Sequence, residues 1–374
     1  MAPAGTEARR DGFQSAMSIA LIDNPNVASA EEAGLRYVSD DRPGYSRRRA
    51  GGGFCYYDAQ GARITDARIL KRIRALVIPP AWTEVWICPN PRGHIQATAR
   101  DARGRKQYRY HPEWQQTRGQ QKFTKTLAFA RALPAMRKAV AKDIAGPPAA
   151  LRTVLATIVR LLETTLIRVG NRTYAEQNKS YGLTTMRNRH VAVNGASLQF
   201  DFTGKSGKRH VVKLTDRRAA RIVKTLQELP GQELFQYVDE AGERHTVESA
   251  DVNAYLREIS GDDFTAKDFR TWAGTVLAAW ALSEFEKIDS QAAARRNITA
   301  AVKRVASELG NTPAVCRSAY IHPEILNSYL EGSLLDHLKR QIRAKLRSQL
   351  DGLTAEEAAV FVLLLNRLDV AKAA

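Results

Sequence analysis

The chain has 374 residues, with 57 lysines and arginines against 39 aspartates and glutamates, a formal net charge of +18 and a pI near 10.0. A hydrophobic content of 44% is ample for buried cores, so the excess charge belongs to a folded protein that meets a polyanion, not to a disordered polycation. Three isolated cysteines, Cys55, Cys88 and Cys316, have no Cys-x-x-Cys spacing, which excludes a disulfide framework and a structural zinc site.

Residues 1–33 read as a loosely ordered tail. Its apolar stretch Ala16–Ile22 ends at Asp23 with no cleavage pattern, so no secretory signal is expected. The most apolar run, Ala358–Leu365, is too short to cross a bilayer. The expectation is a soluble, cytoplasmic, nucleoid-associated protein with no membrane partner.

Residues 34–115 read as an α+β domain. Phe54–Tyr57, a turn at Asp58–Gly61 and Ala62–Ile64 predict a hairpin. Asp66 caps a helix whose apolar face is Ile69, Leu70, Ile73 and Val77, stopped by Pro79-Pro80. A second hairpin is expected from His94–Arg100 and Arg105–Tyr110 around Asp101–Gly104. Its period of two puts Tyr108 and Tyr110 on one face and Arg109 on the other.

Residues 116–374 read as mainly helical, after a domain change near His111–Trp114 and a polar stretch to Lys125. Leu151–Val169 has apolar residues at helical spacing. A small β insertion follows from Val191–Val193, Leu198–Phe202 and His210–Leu214. Helical patterns resume at Arg217–Leu229, Ala250–Ile259, Ala266–Leu282, Ala292–Leu309 and through the C-terminus.

Four segments of this region could carry chemistry. Arg168 ends the apolar helical stretch before Val169-Gly170-Asn171, where a cation could simply cap the helix dipole. Lys205 lies at a hairpin tip, Gly204-Lys205-Ser206-Gly207-Lys208, and taken alone is an exposed turn lysine. It is not a P-loop, because Gln199 stands where that motif needs glycine and no helix follows directly. Thr265 can cap a helix on which Lys267 and Arg270 share a face, a pattern that also suits a solvated basic face. Thr312-Pro313 starts a helix leading to Arg317 and Tyr320, and a lone tyrosine at a helix end is often packing.

Together the four supply what metal-free phosphodiester cleavage needs. The five-coordinate phosphorus demands fixed cations for its non-bridging oxygens, which arginines provide. A tyrosine poised by nearby cations is the nucleophile. A lysine can protonate the departing sugar oxygen. No Asp-x-Asp pair offers a magnesium site, and the seven histidines lack metal-ligand spacing. No cofactor, metal or nucleotide is expected.

The combination resembles the type IB DNA topoisomerases, in particular the compact poxvirus-like and bacterial branch, over roughly Gly51 to Leu330. The resemblance implies an α+β protein. A small antiparallel lobe and a larger helical lobe with a β insertion, the catalytic fold shared with tyrosine recombinases, would close as a monomer around double-stranded DNA. It implies Tyr320 in Cys-Arg-Ser-Ala-Tyr as the nucleophile forming a 3′-phosphotyrosyl link. Arg168 in Ile-Arg-Val-Gly and Arg270 in Lys-Asp-Phe-Arg-Thr would be the catalytic arginines, and Lys205 in Thr-Gly-Lys the general acid. Lys267, Tyr174, Tyr108, Tyr110 and Arg105 would contact DNA. Many members have histidine nine residues before the nucleophile. Here it is Asn311, whose amide can donate the same bond but carries no charge. His322 either compensates or is structural. The implied activity is relaxation of supercoiled DNA without ATP. The alternatives are a tyrosine recombinase, which usually has His-x-x-Arg where this chain has Lys-x-x-Arg, and a non-catalytic duplex-binding protein.

Overall fold

The structure is a computed structural model and describes residues 25–285, 290–338 and 352–373. The stretch Ala16–Ile22 lies outside them. Of the segment expected as a loose tail, Pro25–Glu32 forms helix α1, and Ala30 and Leu35 are buried with Trp114. The chain divides into two compact units, residues 1–123 and 124–374.

The first unit is built on a five-stranded antiparallel sheet in the order β2-β1-β3-β4-β5. Its strands are β1 (Tyr45–Ala50), β2 (Gly53–Tyr57), β3 (Thr83–Ile87), β4 (Ile95–Arg100) and β5 (Lys106–Tyr110). The partner of β2 is β1, with Arg47 opposite Tyr56. The expected pairing of β2 with Ala62–Ile64 shrinks to a single bridge, Tyr57 with Arg63. Strand β1 is arginine-rich because Arg47 stitches a loop: its guanidinium donates to the carbonyls of Ile78, Pro79 and Trp82 and lies over the Phe54 ring.

Helix α2 (Ala67–Ala75) starts as expected. The Asp66 carboxylate accepts from the Arg68 and Ile69 amides at 2.7 and 3.0 Å. Its Ile69 and Ile73 pack on Val85, Ile87, Ala97 and Ala99 of the sheet. Val77, expected on that face, is instead past the helix end with φ +46° and is exposed. The second expected hairpin forms, with Thr98 opposite Tyr108 and Ile95 opposite Tyr110.

In the second unit, α3 (Pro112–Asp143) runs through the stretch expected as a polar connection, and only its part from Thr124 belongs to this unit. Helix α4 (Leu151–Thr165) is buried from Thr153 to Leu162 except at Arg160. A helix apolar on nearly every side belongs in the middle of a core. It sits among α6 (Arg217–Gln227), α7 (Ser249–Ser260) and α8 (Ala266–Ser283). The β insertion is a three-stranded antiparallel meander, β6 (Val191–Asn194), β7 (Ser197–Thr203) and β8 (Arg209–Thr215). A short hairpin, β9 (Gln236–Val238) with β10 (Arg244–Thr246), was not expected, although its turn Asp239–Gly242 is of the same kind as Asp101–Gly104. Helices α9 (Gln291–Glu308), α10 (Pro313–Ala319), α11 (Pro323–Leu330) and α12 (Ala355–Ala373) follow, with α5 (Arg172–Asn178) just after α4. Among the described residues no helix is long and apolar enough to cross a membrane.

Candidate active site

The helix expected through Val169 stops at Thr165. Leu166 takes the left-handed conformation (φ +56°), and the chain continues without regular structure, through Gly170 at φ +108°, to Asn171. Arg168 therefore does not cap a helix. Its backbone is tied to the next turn by Leu183 and Thr184, whose amides donate to the Arg168 and Val169 carbonyls. Its guanidinium reaches across to the Gly310 carbonyl at 3.3 Å and to Asn311 Oδ1. Burial, and then the neighbouring Arg270 charge, lower its pKa to about 10, with the Tyr320 phenol acting the other way. Even so lowered, a guanidinium stays charged at neutral pH.

Arg270 lies one turn into α8, whose start is a capping box: Thr265 N–H donates to Asp268 at 2.8 Å. The side chain is 4% exposed. It donates to the carbonyls of Leu166 and, at 2.5 Å, Leu309. Burial pushes its pKa down, and the nearby Tyr320 phenol offsets part of that. Lys267, one turn earlier, is exposed.

Thr312 and Pro313 start α10 as expected, the threonine hydroxyl accepting from Val315 N–H at 3.4 Å. Tyr320 is the residue just past that helix. The Arg270 guanidinium carbon is 5.3 Å from the centre of its ring. The Tyr320 main chain is pressed on α8. Its carbonyl oxygen lies 3.3 Å from Thr275 Oγ1, and a Cβ at Gly274 would lie 2.6 Å from that carbonyl. His322 is buried and caps α11, its Nδ1 accepting from Glu324 N–H at 3.2 Å. That is a structural role.

Asn311 is oriented by what faces it. A guanidinium only donates, so the atom turned to Arg168 is Oδ1. The Asn311 Nδ2 is then left buried without a protein partner among the described residues, as is Arg270 Nε. Buried donors of this kind are uncommon. Here one belongs to the arginine over the Tyr320 ring and the other to the amide held by Arg168, donors of the kind a phosphoryl group requires.

Lys205 stands exposed at the tip between β7 and β8, in a short turn where Ser206 has φ +67°. It is not within the Arg168–Arg270–Tyr320–Asn311 cluster. Lys208, three residues on, reaches that cluster at Asn311 O, 3.5 Å away. Sequence reasoning missed Lys208 and also His210, which lies between the hairpin and the cluster. The register of β7 with β8, Phe202 opposite His210, was the available signal.

Tyr174 is 56% exposed on α5, a helix capped by the Asn171 side chain, which accepts from Tyr174 N–H at 3.1 Å. In the first unit Tyr108 and Tyr110 are stacked, 5.7 Å between centroids, and both are exposed. Arg109 turns the other way, over Trp82. Arg105 is tied to Asp101 at 2.7 Å, and this pairing lowers the Asp101 pKa to about 2. A loose acidic group, Asp239, Glu243 and His245, lies on the β9–β10 hairpin. Its internal Asp239–His245 contact accounts for it.

Residues 111–350 match the family described as eukaryotic DNA topoisomerase I, catalytic core, and residues 53–101 match bacterial DNA topoisomerase IB, N-terminal domain. The chain is 34% identical over 293 residues to DNA topoisomerase 1B of Acanthamoeba polyphaga mimivirus, covering 76% of this chain and 87% of that protein. It is 23% identical over 242 residues to DNA topoisomerase 1B of vaccinia virus (strain Copenhagen), covering 63% and 73%. It is 22% identical over the same length to DNA topoisomerase I of monkeypox virus, again covering 63% and 73%. With a catalytic-core match across most of its length and this degree of identity to a viral relative, the chain belongs to the type IB DNA topoisomerases.

Proposed function

We propose that this protein relaxes supercoiled duplex DNA by reversible cleavage of one strand at Tyr320. The Tyr320 phenol gives up its proton to solvent as its oxygen attacks phosphorus, the bond from phosphorus to the 5′-oxygen breaks, and Lys205 protonates that oxygen as it leaves; resealing returns both protons. The strand with the free 5′-hydroxyl rotates. The hydroxyl then attacks the phosphotyrosyl ester, Tyr320 departs, and the strand is whole. The ester conserves the bond, so neither ATP nor a metal ion is required for resealing.

Arg168, Arg270 and Asn311 hold the non-bridging oxygens. The observation that carries this reading is the pair of partnerless buried donors, Arg270 Nε on the arginine over Tyr320 and Asn311 Nδ2 on the amide held by Arg168. In the free protein the carbonyls of Leu309 and Gly310 occupy the arginines. A phosphate, with full negative charge, is the better acceptor and replaces part of that set. Lys205 acts from the hairpin tip, which has to lean in when DNA is bound.

Lys267, Tyr174, Tyr108, Tyr110 and Arg105 are proposed to contact DNA, mostly at phosphates, so affinity falls steeply with salt. The helical unit takes the fold of tyrosine recombinase catalytic domains, and the protein acts as a monomer that closes around the duplex.

The test is supercoiled plasmid incubated with the protein in chelator and without nucleotide. Relaxed topoisomers are expected, together with a covalent protein–DNA adduct on denaturation. Tyr320→Phe should bind DNA and form neither. Persistence of the supercoiled form, or relaxation by the Phe variant, overturns the proposal.

A further inference from the structure

The glycines that precede Lys205 and Asn311 lie against the same imidazole. A Cβ at Gly204 would stand 2.6 Å from His210 Cδ2, and one at Gly310 would fall inside the ring's contact surface at Cε1. The ring is stacked on Phe202, with centroids 5.3 Å apart and planes 14° from parallel. Gly310 has φ +59°, so its backbone alone favours glycine. Gly204 has φ −96°, which any residue adopts. At Gly204 the reason for glycine is the ring.

Two hydrogen bonds run parallel to this contact. Gly204 N–H donates to Lys208 O at 2.7 Å, closing the base of the hairpin. Lys208 Nζ donates to Asn311 O at 3.5 Å. One flat side chain thus spaces the turn that carries the proton donor from the segment that carries the phosphate-binding amide.

We propose that His210 is a positioning residue: it fixes the root of the Lys205 hairpin against Gly310-Asn311, so that Lys205 meets the leaving 5′-oxygen of a phosphate held by Asn311 and the two arginines. This rests on the role given to Lys205 above. His210 touches no reacting atom. Burial, then the charges of Arg168, Arg270 and Lys208, lower its pKa from the ordinary histidine value, which favours the uncharged ring. Its shape and planarity matter, not its proton.

The chemistry offers a readout that a general loss of structure does not share. If the 5′-bridging oxygen of the substrate is replaced by sulfur, the leaving group is a thiolate, which departs without a proton. A variant that fails only in delivering the proton recovers on that substrate. Single-turnover cleavage of both substrates is therefore compared for wild type, Lys205→Ala, His210→Ala, His210→Phe and Arg270→Ala.

His210→Ala should slow cleavage of the oxygen substrate by roughly tenfold to a hundredfold, part of the about 10²–10⁴ that general acid catalysis contributes. On the sulfur substrate it should be close to wild type, as should Lys205→Ala. Arg270→Ala stays slow on both. His210→Phe, which keeps a flat ring on Phe202, should retain most activity. Gly204→Ala, which suits its backbone, should reproduce the His210→Ala defect, and in the His210→Ala background should add little to it. Gly204→Ala alone, compared on the two substrates, tests the contact even if His210→Ala folds poorly. Equal slowing of His210→Ala on both substrates, or no slowing on either, overturns the proposal. Failure of Lys205→Ala to recover on the sulfur substrate overturns the Lys205 assignment itself, a result distinguishable by that variant alone.

Discussion

Arg270 lies over the ring of Tyr320, its guanidinium carbon 5.3 Å from the centroid, although the two residues belong to different helical segments. The contact depends on how closely the chain at Tyr320 can approach α8. Gly274 and Thr275, one turn after Arg270, allow it: the glycine has no Cβ in the way, and the threonine hydroxyl accepts from His322 N–H at 3.1 Å beside the Tyr320 carbonyl.

Alanine at position 274 sets two effects against each other. Glycine in a helix interior costs up to about 1 kcal/mol relative to alanine. The new Cβ, however, would lie 2.6 Å from Tyr320 O and 3.1 Å from Tyr320 Cβ. A carbonyl on the main chain cannot swing aside as a side-chain tip can, and overpacking typically costs about 1–3 kcal/mol. The clash wins. Gly274→Ala is expected to lower the melting temperature and to slow single-turnover cleavage by about tenfold or more, the effect of roughly 1.4 kcal/mol on the barrier. DNA binding by filter retention should be little changed.

Asn311 separates stability from catalysis. Asn311→Asp keeps an oxygen facing Arg168 and turns that contact into an ion pair, so resistance to urea should hold or rise. The same change removes the Nδ2 donor and adds a negative charge where a phosphoryl oxygen has to sit. Cleavage should fall by about 10²–10³, the typical loss for one such donor. Asn311→His, which restores a donor, should remain active. A fast Asp variant would show that the amide does not touch the phosphate.

The helix bearing Arg270 is held to the last helix through a buried ionic network, and this gives a pH dependence. Glu357 accepts two hydrogen bonds from Arg137, at 2.8 and 2.9 Å, and one from the Trp272 indole at 3.1 Å. Burial raises the Glu357 pKa, but Arg137, the Thr354 amide and Trp272 together bring it below its ordinary 4.5. A carboxyl lowered in the folded state contributes stability that is complete above its unfolded value and is lost as pH falls through the folded one. Wild-type stability should therefore drop as pH is taken from about 5 to about 3. Glu357→Ala should be less stable at neutral pH by about 1–3 kcal/mol, because Arg137 and the Trp272 indole lose their bonds to it while Arg137 keeps Glu163. It should also show a flatter profile across that window. Urea titrations at several pH values measure both.

That Arg168, Arg270 and Tyr320 belong together was legible in the sequence from residue type and order, and the structure brings these three near one another while Lys205 stays outside. What surrounds them was not. The helix before Arg168 reads as continuing because Leu166, Ile167 and Val169 keep its apolar period. It ends because tertiary partners claim the backbone: the Leu166 carbonyl goes to Arg270, and those of Arg168 and Val169 go to the Leu183 and Thr184 amides. Strand β1 was invisible because Arg47-Arg48-Arg49 has no alternation, and its guanidinium partners are carbonyls some thirty residues away. His210 was passed over because its neighbours are two glycines, and glycine announces a turn more readily than a packing surface. By contrast, Tyr108 and Tyr110 were placed correctly on one face, since a period of two needs no knowledge of the rest of the molecule.

That exposed pair allows the DNA reading to be divided into charge and stacking. Tyr108 and Tyr110 carry no charge and are 42% and 37% exposed, so their replacement should leave stability within about 0.5 kcal/mol. If they rest on DNA, Tyr108→Ala with Tyr110→Ala weakens binding at every salt concentration by a similar factor, and the slope of log affinity against log salt stays the same. Lys267→Ala should do the reverse. An exposed lysine that neutralises one phosphate contributes about 0.9 to that slope, so its loss flattens the salt dependence and its effect fades as salt rises. Equilibrium binding of a nicked-free duplex by the Tyr320→Phe protein, measured across a salt series, compares the two without interference from cleavage. A changed slope for the tyrosine pair, or an unchanged one for Lys267→Ala, would remove those residues from the DNA-contacting surface.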